Sequence, residues 1–494
     1  MYRYISQKKL EIRIYSWYNV NNIEIIKHKI GRGIIMNKDT NKLTLGEKIR
    51  EIRKFLFISQ ENLAKAVGCG TSTISRIENE QAQCSEDLLR SIRKALGTKN
   101  APILENESII FRERLNVWRD LINVRSSSLN YAKDMGKNLS TILYIPFEHE
   151  LAMLYIMYEV KLLIVENNLA LAEKRMSIPE DISEKNVSIY DAADANFDDR
   201  FYEYHLNKTS LTNLSSEILY HYYYNKGSIC VHRKQYKDAL KYYLKANSLE
   251  VYNLQKEYHL LYNIAICYGT LCMPMRSILY LEKAYNLFRG ERASPFGLSL
   301  DNALAVNYTY IGESRLAQEL LEKCLILAKG TNNLTYIGIS YHNLGVLHLK
   351  NNHAEKAIEY FNQSLEHSQE NDAFYLEYLY YKIRCMIELG KFNQSKKMIE
   401  RAKKTSSQYE KYSFLFGSLM HLMTLSQNNS CQYLTCIAIP RMLEDFELYK
   451  ALDFCKQMEI HFKSKNQTKK VLETAATIRS IYEKIIFVES GVDI

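Results

Sequence analysis

The chain has 494 residues, of which 47% are hydrophobic and 24% charged, with only 6 Pro and 18 Gly and a formal net charge of +9. That length exceeds one ordinary core and calls for several domains or a domain with a repeat array, and so few Pro and Gly suit a helical chain rather than a turn-rich sheet. No apolar run approaches the roughly 20 residues needed to cross a membrane, and no cleavable signal pattern opens the chain, so the expectation is a cytoplasmic protein with no membrane partner.

The charge is uneven. Residues 1–35 hold seven Lys or Arg against two Glu, residues 36–97 hold eleven against eight acids, and only about +1 is left for the rest, so nucleic-acid affinity belongs near the N-terminus. Residues 1–35 lack a clear helical period, and GRGIIM is what a ribosome-binding sequence before a Met36 start codon would spell when translated. Residues 1–35 are thus expected to be a non-native or disordered extension, the alternative being a basic arm lying along DNA phosphates. Ten Cys, from Cys69 to Cys455, stand singly without CxxC or a His pair at zinc spacing, which reads as reduced core thiols, with no metal and no cofactor.

Residues 36–97 form the first domain. Leu45, Ile49, Ile52 and Leu56 mark the inner stripe of one helix. In SQENLAKAVGCGTSTISRIENE, Ser59 caps a second helix with Asn62 at its third position, and Gly68 ends it. A third helix runs from about Thr71 to Asn79 with Ile74 and Ile77 turned inward, which is helix-turn-helix architecture. Gly70 offers no side chain to cap the third helix, and with Glu80 rather than Gly after it, Asn79 is expected to take the left-handed conformation.

TKNAPILENE, within 98–107, reads as a linker, 108–216 as a divergent helical-repeat segment, and the acid-rich 177–199 as a loop. Residues 217–404 carry a repeat, and 405–494 read as C-terminal helical repeats and a cap. In successive units Gly227, Ala265, Ala305 and Gly345 lie twelve residues before Ala239, Ser277, Ala317 and Ala357, so that two antiparallel helices can approach closely. Tyr243, Leu281, Leu321 and Phe361 then fill the space against the next pair.

The first domain resembles the helix-turn-helix family of phage repressors and Cro, through Gln60, Ala64, Gly68, Ile74, Ser75, Arg76, Ile77 and Glu78. That resemblance implies that Gln60 and Asn79 bond phosphates and that Thr71, Ser72 and Arg76 face base edges. The repeat resembles the tetratricopeptide repeat, slightly longer than its usual form. The expected fold is therefore all-α: an N-terminal five-helix repressor-type helix-turn-helix domain followed by a tetratricopeptide-repeat α-solenoid, a right-handed superhelix with a concave groove.

The first helices would line that groove. Asn225, Asn263 and Asn343 recur at one position of the repeat, with Asn302 and Asn307 near it in the intervening unit, and could pair with the backbone of an extended peptide; the alternative is that they bond neighbouring helices or water. Arg384 could take a peptide carboxylate, or be merely solvated. Tyr224, Tyr262, His342 and Tyr380 could floor side-chain pockets. Together the two parts resemble the peptide-pheromone-responsive regulators of Gram-positive bacteria, the group of Rgg, Rap, NprR, PlcR and PrgX, on the NprR-like side of it. The resemblance implies a transcriptional regulator of quorum sensing. Its partners would be double-stranded DNA with a palindromic operator, a short signalling peptide, and a second copy of the chain in a homodimer or higher oligomer. Alternatively the array binds a response regulator of a sporulation phosphorelay. No metal set, phosphate loop or nucleophile and base pair suggests an enzyme.

Overall fold

The computed structural model describes residues 44–98, 104–124, 129–143, 148–178, 197–207, 209–249, 251, 258–369, 372–406, 408–445 and 447–490, and its regular structure among them is helical throughout. The extension 1–35 and most of the acidic segment 177–199 lie outside the described residues; the end of that segment is already helical at Phe197. The chain divides into two compact units, Met1–Phe111 with Ile142–His149, and Arg112–Thr141 with Glu150–Ile494.

The first unit holds α1 (Leu45–Phe55), α2 (Gln60–Val67), α3 (Thr71–Glu78), α4 (Glu86–Ala95) and the start of a fifth helix, α5 (Glu105–Val124). Ile49, Ile52, Leu63, Ala64, Ile74, Ile77 and Ile92 form its core, with Leu104 packed at the edge. Thr44 and Glu47 make a complete capping box at α1. Gly46 is required because a Cβ there would collide with the main-chain oxygen of Ile77. Leu56 departs from the expected inner stripe and is 39% exposed. Helix α1 stops at Phe55, and Phe57 takes a left-handed φ of 55° that turns the chain away. The expected linker is also different: from Glu105 on it is helix, tied into this unit by Arg93 to Glu107 (2.6 Å) and by Ser108 and Lys48, which both bond Glu148.

The second unit begins with the rest of α5, then α6 (Leu129–Ser140), α7 (His149–Val165), α8 (Leu169–Arg175) and α9 (Phe197–Asn207). Trp118, 1% exposed, donates to the Ala132 carbonyl (2.8 Å) and stacks on Tyr155. Arg112 binds Glu150 and Glu217 at 2.7 and 2.6 Å. Five helix pairs follow: α10 (Ser216–His232) with α11 (Tyr236–Ser248), α12 (Tyr258–Thr270) with α13 (Pro274–Leu287), α14 (Pro295–Ile311) with α15 (Ser314–Gly330), α16 (Leu334–Lys350) with α17 (Ala354–Glu366), and α18 (Ala373–Glu388) with α19 (Phe392–Thr405). Helices α20 (Glu410–Met423), α21 (Asn428–Tyr433), α22 (Ile439–Glu444), α23 (Leu448–Ser464) and α24 (Thr468–Ser490) complete the unit.

The small residues do what their spacing predicts. Ala239, Ala265, Ala305, Ala317, Ala357 and Ser277 are fully buried, and the Ser277 hydroxyl donates across to the Ala265 carbonyl at 2.8 Å. Each pair turns on one left-handed residue: Lys234, Cys272, Gly312, Asn352 and Gly390 in turn. Asn167 and Asn466 do the same between α7 and α8 and between α23 and α24, so those divergent pairs share the hairpin turn. Where the position is Lys or Cys rather than Gly, the left-handed state costs about 1–2 kcal/mol, which the packed pair must offset.

Gly345 lies against the face of Phe361, whose ring atoms would stand 2.6–2.8 Å from an added Cβ. In an open helix Gly→Ala stabilises by about 1 kcal/mol. Here Gly345→Ala is expected to destabilise instead, by about 1–3 kcal/mol, because the buried ring has nowhere to move; urea unfolding of the full chain checks the sign.

Candidate functional site

Helix α3 presents one buried and one open face. Ile74 and Ile77 are 0% and 3% exposed, while Thr71, Ser72, Arg76 and Asn79 are exposed. Ser59 caps α2 by accepting from the Asn62 amide (3.0 Å), and Gly68, at φ 74°, ends α2 three residues before α3 begins. Gly70 gives α3 no side-chain cap, as its identity predicts.

What holds α3 in place is a buried cluster that the hydrophobic pattern does not reveal. Glu78, fully buried, accepts from Arg53 Nε (2.6 Å), Arg53 Nη2 (2.8 Å) and Gln60 Nε2 (2.8 Å), and Arg53 also donates to the Ile58 carbonyl. Burial by itself would raise the Glu78 carboxyl; the bonds from Arg53 and Gln60 and the charge of Arg53 outweigh it and hold the pKa below the ordinary value. Gln60 therefore spends one amide hydrogen on Glu78 and keeps the other. The signal that could have shown this is a Glu at an inward position of α3 with an Arg at an inward position of α1.

One expectation is corrected. Asn79 has φ −102°, and Glu80 is the left-handed residue at φ 57°. The reason is a bond: the Glu80 carboxylate accepts from the Gly46 amide at 2.7 Å, capping the start of α1. Asn79 instead accepts from Arg50 at 3.4 Å.

On the face formed by the first helices of the repeats, the Asn row stitches one helix to the one before it. Asn225, 1% exposed, donates to the Met157 carbonyl of α7 (2.8 Å), Asn263 donates to the Tyr224 hydroxyl of α10 (3.1 Å), and Asn343 donates to Asn302 of α14 (3.0 Å). Asn302 itself donates to Leu298 and Cys324, and Asn307 to the Ala303 carbonyl of its own helix. Asn225, Asn302 and Asn307 are buried and committed; Asn263 and Asn343 stay half-buried. Tyr224 and Tyr380 are core residues, whereas Tyr262 and His342 are half-buried.

Arg384 is neither solvated nor open to a peptide terminus. It is 1% exposed and donates to Asp453 of α23 (2.7 Å) and to Glu388 (3.1 Å). Helix α23 in fact lies against several first helices: Tyr449 stacks on Tyr310 of α14 at 3.9 Å, and Lys450 bonds Glu377 of α18 (2.9 Å) and Glu447 (2.8 Å). Burial opposes the charge on Glu377, but Lys450 and Lys411 overcome it and lower its pKa to about 2. Burial among Phe361, Tyr378 and Tyr381 lowers His342 to about 4, so it is neutral. Sequence reasoning read 405–494 as helical but missed the packing of α23, whose partners lie 69 to 139 positions away: Arg384 to Asp453, Glu377 to Lys450 and Tyr310 to Tyr449.

The helix-turn-helix family matches residues 49–99, and tetratricopeptide-repeat families match residues 220–250 and 298–370. The transcriptional activator NprA of Geobacillus stearothermophilus is 23% identical over 419 residues, covering 81% of this chain and 93% of that protein. A Rap protein solved with competence and sporulation factor has a TM-score of 0.61 at 16% identity, covering 77% of this chain and 99% of that one. NprR solved with its cognate peptide NprX has a TM-score of 0.54 at 19% identity, covering 76% and 99%. Fold and site thus define a helix-turn-helix protein with tetratricopeptide repeats. The chain resembles NprA over four-fifths of its length and shares the fold of the Rap protein and of NprR.

Substitutions in each cluster test these roles. Glu78 has a depressed folded-state pKa, so its contribution is present above the unfolded value of about 4.3 and is lost as pH falls through the folded one. Glu78→Gln should lower the protection of α1 and α3 amides from hydrogen exchange at pH 6, by about 3 kcal/mol, and flatten its decline below about pH 4. In the second unit, Lys450→Met should cost about 3–5 kcal/mol in urea unfolding by leaving Glu377 unpaired, and adding Glu377→Gln should restore most of it.

Proposed function

We propose that the protein is a DNA-binding transcriptional regulator, acting in the cytoplasm, whose repeat array binds a short signalling peptide that switches its conformational or oligomeric state. The observation that carries the reading is the open face of α3. Thr71, Ser72 and Arg76 project from a helix whose other face is locked by Arg53, Glu78 and Gln60, and the Arg76 guanidinium makes no hydrogen bond or ion pair among the described residues. A rigid helix with free donors on one side suits a major groove, where Arg forks onto guanine and hydroxyls adapt to either base. The remaining amide hydrogen of Gln60 and the amide of Asn79 would bond phosphates. One reader of this size makes few base contacts, so a homodimer or higher oligomer on a palindromic operator follows.

The names of the relatives support the same reading: NprA is a transcriptional activator, and NprR was solved with a cognate peptide. An extended peptide on the first-helix face would use the half-buried Asn263 and Asn343, each with one amide hydrogen left after stitching. It would also meet α23, so a peptide that binds better with Tyr449 and Lys450 displaced shifts the population toward that state. Binding of a response regulator is the second reading, favoured by the likeness to the Rap fold.

Arg76→Ala and Ser72→Ala each remove base contacts from an exposed position. Each should weaken binding to an operator selected from random duplexes, by about 1–3 kcal/mol, without moving the circular-dichroism melt. Full-strength binding by both variants would remove α3 as the reader. Deleting residues 36–100 separates the two readings, since a retained phosphorelay phenotype would favour the response regulator.

A further inference from the structure

A cleft of about 420 Å³ lies between α17, α18 and α19 and is ringed by Lys382, Lys391, Lys397 and Arg401 over a floor that includes Met386 and Met398. That is within the range of sites that hold several side chains of a ligand. No carboxylate lines it, and none of the four cations makes an ion pair or side-chain hydrogen bond among the described residues. Lys382 is half-buried, and burial with no offsetting anion pulls its pKa below the ordinary lysine value. Met386 is 6% exposed and Met398 half-buried, so the floor is apolar and adaptable.

The charge is local. Residues 391–404 hold six Lys or Arg against Glu400 alone, in a chain whose residues beyond 97 carry a net charge of only about +1. Of the four, Lys391, Lys397 and Arg401 are exposed and Lys382 is half-buried, so the cleft presents a positive rim with one partly desolvated charge at its edge.

We propose that this cleft docks an acidic segment of a partner protein, one that places carboxylates on Lys382, Lys397 and Arg401 and an apolar side chain on Met386 and Met398. The segment is acidic because the cleft carries four cations and no carboxylate, and amphipathic because Ile358, Met386 and Met398 line it beside the amides of Asn362 and Gln394. A DNA duplex fits less well, since phosphates would be set over the two thioethers and a duplex backbone does not enter a valley between helices. This inference is independent of the peptide reading of the first-helix face and of the α3 reader.

The test uses the full chain and a short fluorescein-labelled peptide of alternating Glu and Leu, followed by anisotropy. The peptide should bind the wild type, and the triple variant Lys382→Gln/Lys397→Gln/Arg401→Gln should bind it at least tenfold more weakly with an unchanged melt. Replacing Glu by Gln, or Leu by Ser, in the peptide should weaken it comparably. Equal binding by the Ser-substituted peptide would overturn the proposal in favour of a general polyanion patch. An unrelated DNA duplex that loses affinity in the triple variant while the peptide does not would overturn it in favour of DNA. Absence of peptide binding, or binding that the triple variant retains, overturns it outright.

Discussion

The second unit depends on one contact made again and again: a residue with little or no side chain on the first helix of a pair, pressed against a ring or branched side chain on the second. Gly227 meets Tyr243 and Gly345 meets Phe361 at distances that leave no room for a methyl group. Close approach of the helices sets the hairpin, and the hairpin sets the position of every residue that faces the next pair. Because each pair buries its apolar face mainly against its neighbours, the array accumulates stability only as it grows, and a left-handed Lys234 or Cys272 at a turn is tolerable.

The polar residues of the array follow from that geometry. Once helices stand this near, an amide side chain on one first helix reaches the preceding first helix, and the bonds from Asn225, Asn263 and Asn343 run in that same direction along the chain. A buried amide without a partner would cost about 1–3 kcal/mol, so the row also fixes register between units. A residue type suited to a peptide backbone is equally suited to a helix carbonyl, and composition alone does not separate the two uses.

This explains what was legible. The helix-turn-helix, the repeat and its spacing were readable because they rest on short-range patterns: Ser59 with Asn62, Gly68, and the twelve-residue step from Gly345 to Ala357. The Asn and Arg384 assignments were less so, because their partners are set by distant chain. Arg384 meets Asp453 at a separation of 69 residues, and no local periodicity encodes that. Glu80 illustrates the same limit inside the first unit, since its left-handed backbone is stabilised by Gly46, 34 residues away.

Arg384, Asp453, Lys450 and Glu377 put charge into an interface that could have been apolar. Buried ion pairs add little net stability over a well-packed apolar contact, because desolvation offsets most of the attraction, but they penalise any arrangement in which one partner is left alone. The contact between α18 and α23 is therefore specific without being strong. An apolar interface there would be held by its full burial energy, whereas Lys450 and Glu377 are held by a pairing that any group of opposite charge and matching geometry could also make. Tyr449, stacked on Tyr310 of α14, supplies an apolar contact of α23 beside these ion pairs.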